Sequence, residues 1–276
     1  MLKLTSIIGA AALAVGGVVA GSAAADEARL EQVLAERPEA LKARDQYRHP
    51  KETLIFFGIE PGMTVIDVLP GEWYGRIFTN YLGADGRYVG AEYSLDLKRR
   101  IYGERYERRR EEFENWEETF PAEAAQWAEN PPEIMTMRVG AAPAELEGAV
   151  DAYLFFRALH HLNRFDPAML DAAAAEAFAL VKPGGIVGVV QHRAPEEASD
   201  EWARGDNGYI KQSRVIEAFT RAGFALEAAS EINANPKDQP TEEDYVWRLP
   251  PSRSATDEMK AIGESDRMTL KFRKPE

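Results

Sequence analysis

Thr64-Val65-Ile66-Asp67-Val68-Leu69-Pro70-Gly71 combines a short apolar run, one acidic residue inside it and a Pro-Gly turn behind it. Such a run without polar alternation fits a strand buried on both faces. A helical pattern follows through Trp73, Ile77, Phe78 and Leu82, then an Asp85-Gly86 turn and a second apolar run at Tyr88–Tyr93. Strand, helix and strand within about 30 residues make a βαβ unit, which implies a parallel sheet and a right-handed crossover. A buried strand that ends in a glycine turn brings backbone N–H groups to the carboxyl edge of the sheet, where a ligand can be approached closely. Glu92 lies 25 residues after Asp67, near the end of the second strand. A carboxylate there can accept both ribose hydroxyls of a nucleoside.

Downstream, strands are expected at Ile134–Val139, Ala149–Phe156, Gly185–Gln191, Phe224–Ile232 and Met268–Phe272, with helices at 168–180 and 213–222. The alternation predicts an α/β, Rossmann-like doubly wound sheet, mostly parallel, with helices on both faces. Upstream, Glu27 to about Arg44 is helical in pattern, and Pro50–Phe57 reads as a second leader helix with Pro50 at its first position and Gly58 as its cap. Residues 95–132 carry Tyr102, Tyr106, Phe113, Trp116 and Phe120 at helical spacing. That stripe reads as a face packed on the sheet or the leader helices, with a lid over a ligand as the other reading. Residues 233–266, with Asn235-Pro236 and Pro250-Pro251, form the second long cover.

Of the 276 residues, the first 25 hold one charge, Lys3, then an apolar stretch and Ala23-Ala24-Ala25 before Asp26. This predicts a cleaved signal peptide over 1–25, a mature domain over 26–276, and a periplasmic or secreted location with no membrane contact after cleavage. The mature chain carries 32 basic against 46 acidic side chains, so nucleic acid and anionic lipid surfaces are poor partners. Cysteine is absent, which excludes disulfides and thiolate metal sites.

Within this frame, Val65-Ile66-Asp67-Val68-Leu69-Pro70-Gly71 resembles the first motif of class I S-adenosylmethionine-dependent methyltransferases, and Gly90-Ala91-Glu92-Tyr93 resembles their acidic second motif. Asp151 to Leu162, with its Leu159-His160-His161, is similar to their fourth strand and its exit. Lys182-Pro183-Gly184-Gly185 and Ala222-Gly223-Phe224 resemble the turns into their fifth and sixth strands. Arg44–Val65, Ser230–Asp238 and Gly263–Phe272 further resemble a family of exported bacterial predicted methyltransferases. The resemblance implies a seven-stranded sheet with an antiparallel last strand, and S-adenosylmethionine as cofactor, held by Asp67, Pro70, Gly71, Glu92, Tyr93 and Phe156. The acceptor would be a small molecule or a polypeptide. Leu69 and Trp73 stand where the superfamily pattern has glycines, and bulk there would narrow the methionine pocket.

His161 is the candidate catalytic base, since a neutral imidazole can take a proton near neutral pH. A metal held by His160 and His161 with His192 or Asp166 is disfavoured, because adjacent strand residues point to opposite faces. Arg48 and His49 precede the first sheet strand, where a leader segment can fold over a ligand. Two functions follow: a methyltransferase, or an exported non-catalytic ligand-binding protein that keeps the fold with a remodelled pocket.

Overall fold

The computed structural model describes residues 16–276, with side chains from Asp26 onward. The expected signal peptide therefore lies largely outside the described residues. Among the described residues no helix is long and apolar enough to cross a membrane.

The leader comprises α1 (Gly16–Glu36), α2 (Glu39–Lys42), α3 (Asp45–Arg48) and α4 (Pro50–Phe57). The single helix expected to run to about Arg44 is interrupted at Pro38, which supplies no amide hydrogen to continue it and instead precedes α2. Helix α4 has the predicted bounds: Pro50 opens it, and Gly58 closes it at φ 74°, a left-handed conformation natural to glycine.

The sheet contains β1 (Thr64–Val68), β2 (Arg87–Glu92), β3 (Glu133–Arg138), β4 (Val150–Phe156), β5 (Val181–Ala194), β6 (Ile210–Lys211), β7 (Ala225–Ser230) and β8 (Arg267–Arg273). Its order is β3-β2-β1-β4-β5-β8-β7, with β8 antiparallel to both of its neighbours. These seven strands are the expected ones. Two-residue β6, an eighth strand, pairs with the far end of β5 at Arg193 and Ala194. Strand β5 starts earlier than expected, at Val181, with a register shift against β4 between Val150 and Ala152.

Successive strand residues feed two separate cores. Ile66, Val68, Val89, Tyr153, Phe155 and Val187 face one side. There they meet α8 (Leu159–Phe165), α9 (Pro167–Leu180) and α10 (Gln212–Ala222). Val65, Tyr88, Ala152, Leu154 and Phe156 face the other. There they meet α1, α4, α5 (Glu72–Tyr81) and α7 (Arg110–Ala125). Burying each large apolar side chain contributes roughly 1.5–3 kcal/mol, and both faces of the sheet collect this, as a doubly wound sheet requires. Helix α8 carries His160 and His161, which the sequence reading places at a strand exit. The helix begins two residues after Arg157, whose φ of 58° turns the chain out of β4.

Candidate functional site

Strand β1 is flanked by β2 on one side and β4 on the other, so chain connections leave its carboxyl end in opposite directions. Such a switch point opens a crevice at the sheet edge. Leu69-Pro70-Gly71 crosses that edge and separates two cavities, with Leu69 and Gly71 lining both. Leu69 adopts φ 59°, the left-handed conformation that a glycine would take at little cost, and its N–H is held by the Ala91 carbonyl at 2.8 Å. Gly71 is the N-terminal cap of α5, and a Cβ there would meet nothing within 4 Å, so open space remains at the turn. The indole N–H of Trp73 donates to the Leu41 carbonyl at 2.8 Å, and the Arg48 guanidinium lies 4.7 Å over its ring. Leu69 thus takes a left-handed backbone and lines both cavities, while Trp73, bonded to the leader, lines the second.

The first cavity, about 390 Å³, lies at the end of β2. Glu92 lines it, buried, with one carboxylate oxygen accepting the Tyr93 N–H at 2.8 Å and the other 2.5 Å from Lys98 Nζ. Lys98 projects from α6 (Leu95–Tyr102), which Ser94 caps through its hydroxyl. The far wall comes from the 95–132 cover: Phe113 and Trp116 line the cavity. Phe120 also lines it while packing against Tyr88. The aromatic stripe therefore serves as packing face and cavity wall together. Of the Arg108–Arg110 run, Arg109 lies 4.7 Å over the Phe113 ring and bonds Glu112. Glu107 pairs with Arg110.

The second cavity, about 630 Å³, lies over the ends of β4 and β5. His160, His161 and His192 line its floor, Phe156 one wall, and Trp247 with Leu249–Ser252 its cover. The 233–266 segment thus lies over the histidines, with Trp247 46% exposed at the rim. Burial and nearby arginines push His161 down to about 4, and His160 and His192 also well below the ordinary value. All three are neutral at physiological pH. His161 Nδ1 and His160 Nε2 are buried without a hydrogen-bond partner, whereas His192 Nδ1 meets the Ser265 hydroxyl at 2.6 Å. Gln191 holds His160 Nδ1 at 3.3 Å. Among the described residues no group of three or more His, Asp or Glu converges to hold a metal ion. Asp166 instead caps α9, accepting the Ala168 N–H at 2.9 Å.

The remaining sequence candidates divide. Pro70 lines the Glu92 cavity, and Phe156 stacks on Tyr74 at 3.7 Å beside the histidine cavity. Asp67 and Tyr93 line neither cavity. The Asp67 carboxyl is buried and accepts the Tyr88 hydroxyl at 3.0 Å; desolvation pushes it up to about 7. Tyr93 donates its hydroxyl to the Ala158 carbonyl, tying the end of β2 to the exit of β4. His49, at φ 41°, joins α3 to α4.

Sequence reading missed a cluster of arginines. Glu264 lies 2.6 Å from Arg44, 3.3 Å from Arg48 and 3.2 Å from Arg267, all but Arg44 deeply buried. Burial pushes Arg48 down to about 9 and Arg157 to about 10. The only available signal was the arginine pair beside the leader turn and the Arg157 that follows Phe156, since the leader arginines Arg44 and Arg48 lie 220 and 216 positions before Glu264.

No protein-family model matches the chain, and no curated protein matches it. Solved structures do. The [4+2]-cyclase SpnF is 16% identical over 83% of this chain and 80% of its own, with a TM-score of 0.51. A chain of the complex between the Haloferax volcanii Trm112 methyltransferase activator and a protein assigned as a methyltransferase is 16% identical over 90% of this chain and 98% of its own, at 0.51. Geranyl diphosphate methyltransferase in complex with SAM is 14% identical over 89% and 90%, at 0.50. At these identities the likeness shows a shared fold, a mostly parallel Rossmann-like sheet.

Proposed function

We propose that this chain is an S-adenosylmethionine-dependent methyltransferase that acts on an acceptor bound over His161. The observation that carries the reading is the pair of cavities meeting at Gly71, with a buried carboxylate in one and neutral imidazoles in the other. Together they match a ligand with a nucleoside end and an amino-acid end. When bound, S-adenosylmethionine supplies an electrophilic methyl group on a sulfonium. Glu92 would accept the ribose hydroxyls, because each of its oxygens keeps a lone pair beyond the bonds to Tyr93 and Lys98. Gly71 and Phe156 would position the amino-acid end. Cover residues 233–266 exclude water, and most of the rate advantage comes from positioning. His161, a neutral imidazole on the cavity floor, would take the proton of an acidic acceptor, as a weak base with its value held down to about 4. Export behind the 1–25 segment belongs to the same proposal, as does kinship to the exported bacterial predicted methyltransferases.

A second reading, a non-catalytic ligand-binding protein, is favoured by the commitment of Glu92 to Lys98 and by a cofactor that is made in the cytoplasm. The fold does not choose between them, since SpnF is a cyclase on the same architecture.

Calorimetric titration with S-adenosylmethionine and S-adenosylhomocysteine tests the proposal. Binding is expected, weakened at least tenfold by Glu92→Ala, since hydrogen bonds to a charged group are each worth about 1.5–3 kcal/mol. No heat at millimolar ligand would sink the methyltransferase reading. Unchanged binding by the variant would remove Glu92 from the ribose.

A further inference from the structure

The chain carries 46 acidic against 33 basic residues, yet Arg44, Arg48 and Arg157 line the histidine cavity against Glu72 and Glu264. Glu264 is the single buried carboxylate there, and Arg267 stands behind the other arginines on the same carboxylate. Glu264 is already shared by Arg44, Arg48 and Arg267. Glu72, at the same cavity, is engaged by Arg76 at 2.7 Å. Asp67 lies close enough to feel Arg157 but holds its proton up to about pH 7. The Arg157 backbone N–H donates to the Val190 carbonyl at 2.7 Å, but its guanidinium makes no hydrogen bond and no ion pair among the described residues, while Arg267, Glu264 and Arg44 act on it electrostatically. It is also held at φ 58°, a conformation an arginine adopts only under constraint.

A half-buried guanidinium that lines a cavity and has no protein acceptor keeps its fork of donors free for an anion that enters, and their attraction is stronger there than in bulk water. Its planar fork suits a carboxylate or a phosphate, which it binds through two parallel hydrogen bonds. The neutral histidines add no negative charge, and a sulfonium cofactor with a protonated amine and one carboxylate brings net positive charge. The cofactor's one carboxylate is offset by its own amine, so the anion is assigned to the molecule that shares the cavity with it.

We propose that the histidine cavity binds an anionic small molecule through a carboxylate or phosphate group seated on Arg157. On the methyltransferase reading, on which this assignment of role rests, that molecule is the acceptor. The anionic group fixes its orientation and leaves its nucleophile toward His161, while an apolar part lies under Trp247.

The test uses the full chain and inorganic phosphate, with chloride at matched ionic strength as control. Phosphate is expected to raise the melting temperature by roughly 2 °C over chloride, as ligand linkage at several times the Kd gives. Arg157→Gln and Arg157→Gly should each weaken phosphate at least tenfold. The glycine variant suits the left-handed backbone and keeps the test valid if glutamine disturbs folding. Saturating S-adenosylhomocysteine should leave phosphate affinity unchanged, and neither variant should weaken that nucleoside. Phosphate binding without any nucleoside binding would support the anion site while removing the methyltransferase reading. A shift equal to that of chloride, or one that survives Arg157→Gly, would overturn the proposal. So would competition between phosphate and S-adenosylhomocysteine with loss of the latter, but not of carboxylate-free methylthioadenosine, in Arg157→Gly. In that case the arginine serves the cofactor's own carboxylate.

Discussion

Glu264→Gln is expected to lower unfolding stability by about 3–5 kcal/mol, the range found when one partner is removed from a buried ion pair. Glu264 is the one carboxylate shared by Arg44, Arg48 and Arg267, and the side chains of Arg48 and Arg267 are each 4% exposed. Glutamine keeps the shape and leaves these guanidiniums facing one another without a counter-charge. The arginines hold the Glu264 carboxyl below the ordinary carboxylate range against the opposing effect of burial. Its stabilisation is therefore present above the unfolded value and is lost as pH falls through the folded one. Urea unfolding at pH 7 reads the effect. Glu72→Gln, which breaks a half-exposed i,i+4 pair with Arg76, is the control and should cost no more than about 0.5 kcal/mol. If the two variants cost the same, the arginine cluster is not desolvated as described.

Asp67→Asn is expected to act in the opposite direction. Burial raises the Asp67 carboxyl from 3.8 to about 7. Between those values the folded protein holds a proton that the unfolded chain has released. Wild-type stability from this group therefore falls as pH rises through that window, by roughly 4 kcal/mol at most at 1.36 kcal/mol per unit. Asparagine has no charge to bury and can still accept the Tyr88 hydroxyl. The variant should match wild type near pH 4 and exceed it by roughly 2–4 kcal/mol at pH 8. The buried histidines shift in the other sense, losing stability as pH falls below their unfolded value, but they are common to both proteins and cancel in the difference. A stability difference that does not change with pH would mean that Asp67 is ionised and solvated in the fold. Because its carboxyl lines neither cavity, nucleoside affinity should change little.

The fold was legible because its strands are buried on both faces and so read as apolar runs. Strands β2 and β3 lie within one residue of the expected limits at each end. What escaped was set by tertiary contact. Nothing in Leu159-His160-His161 distinguishes a strand exit from the first turn of α8; the break comes from the backbone at Arg157. The bulk of Leu69 was visible in the sequence, whereas its left-handed φ was not. The role given to Asp67 rested on its place at a strand end, and the Tyr88 hydroxyl that occupies it comes from the neighbouring strand. The arginine cluster joins the leader, the exit of β4 and the start of β8, which no local pattern connects.

The most direct measurement is a crystal structure of the chain with S-adenosylhomocysteine. The ribose should lie within hydrogen-bond distance of Glu92 in the cavity of about 390 Å³, with the amino-acid end passing Gly71 toward Phe156. Crystals at millimolar ligand with both cavities vacant, or with the nucleoside among the histidines and Glu92 untouched, would contradict the account.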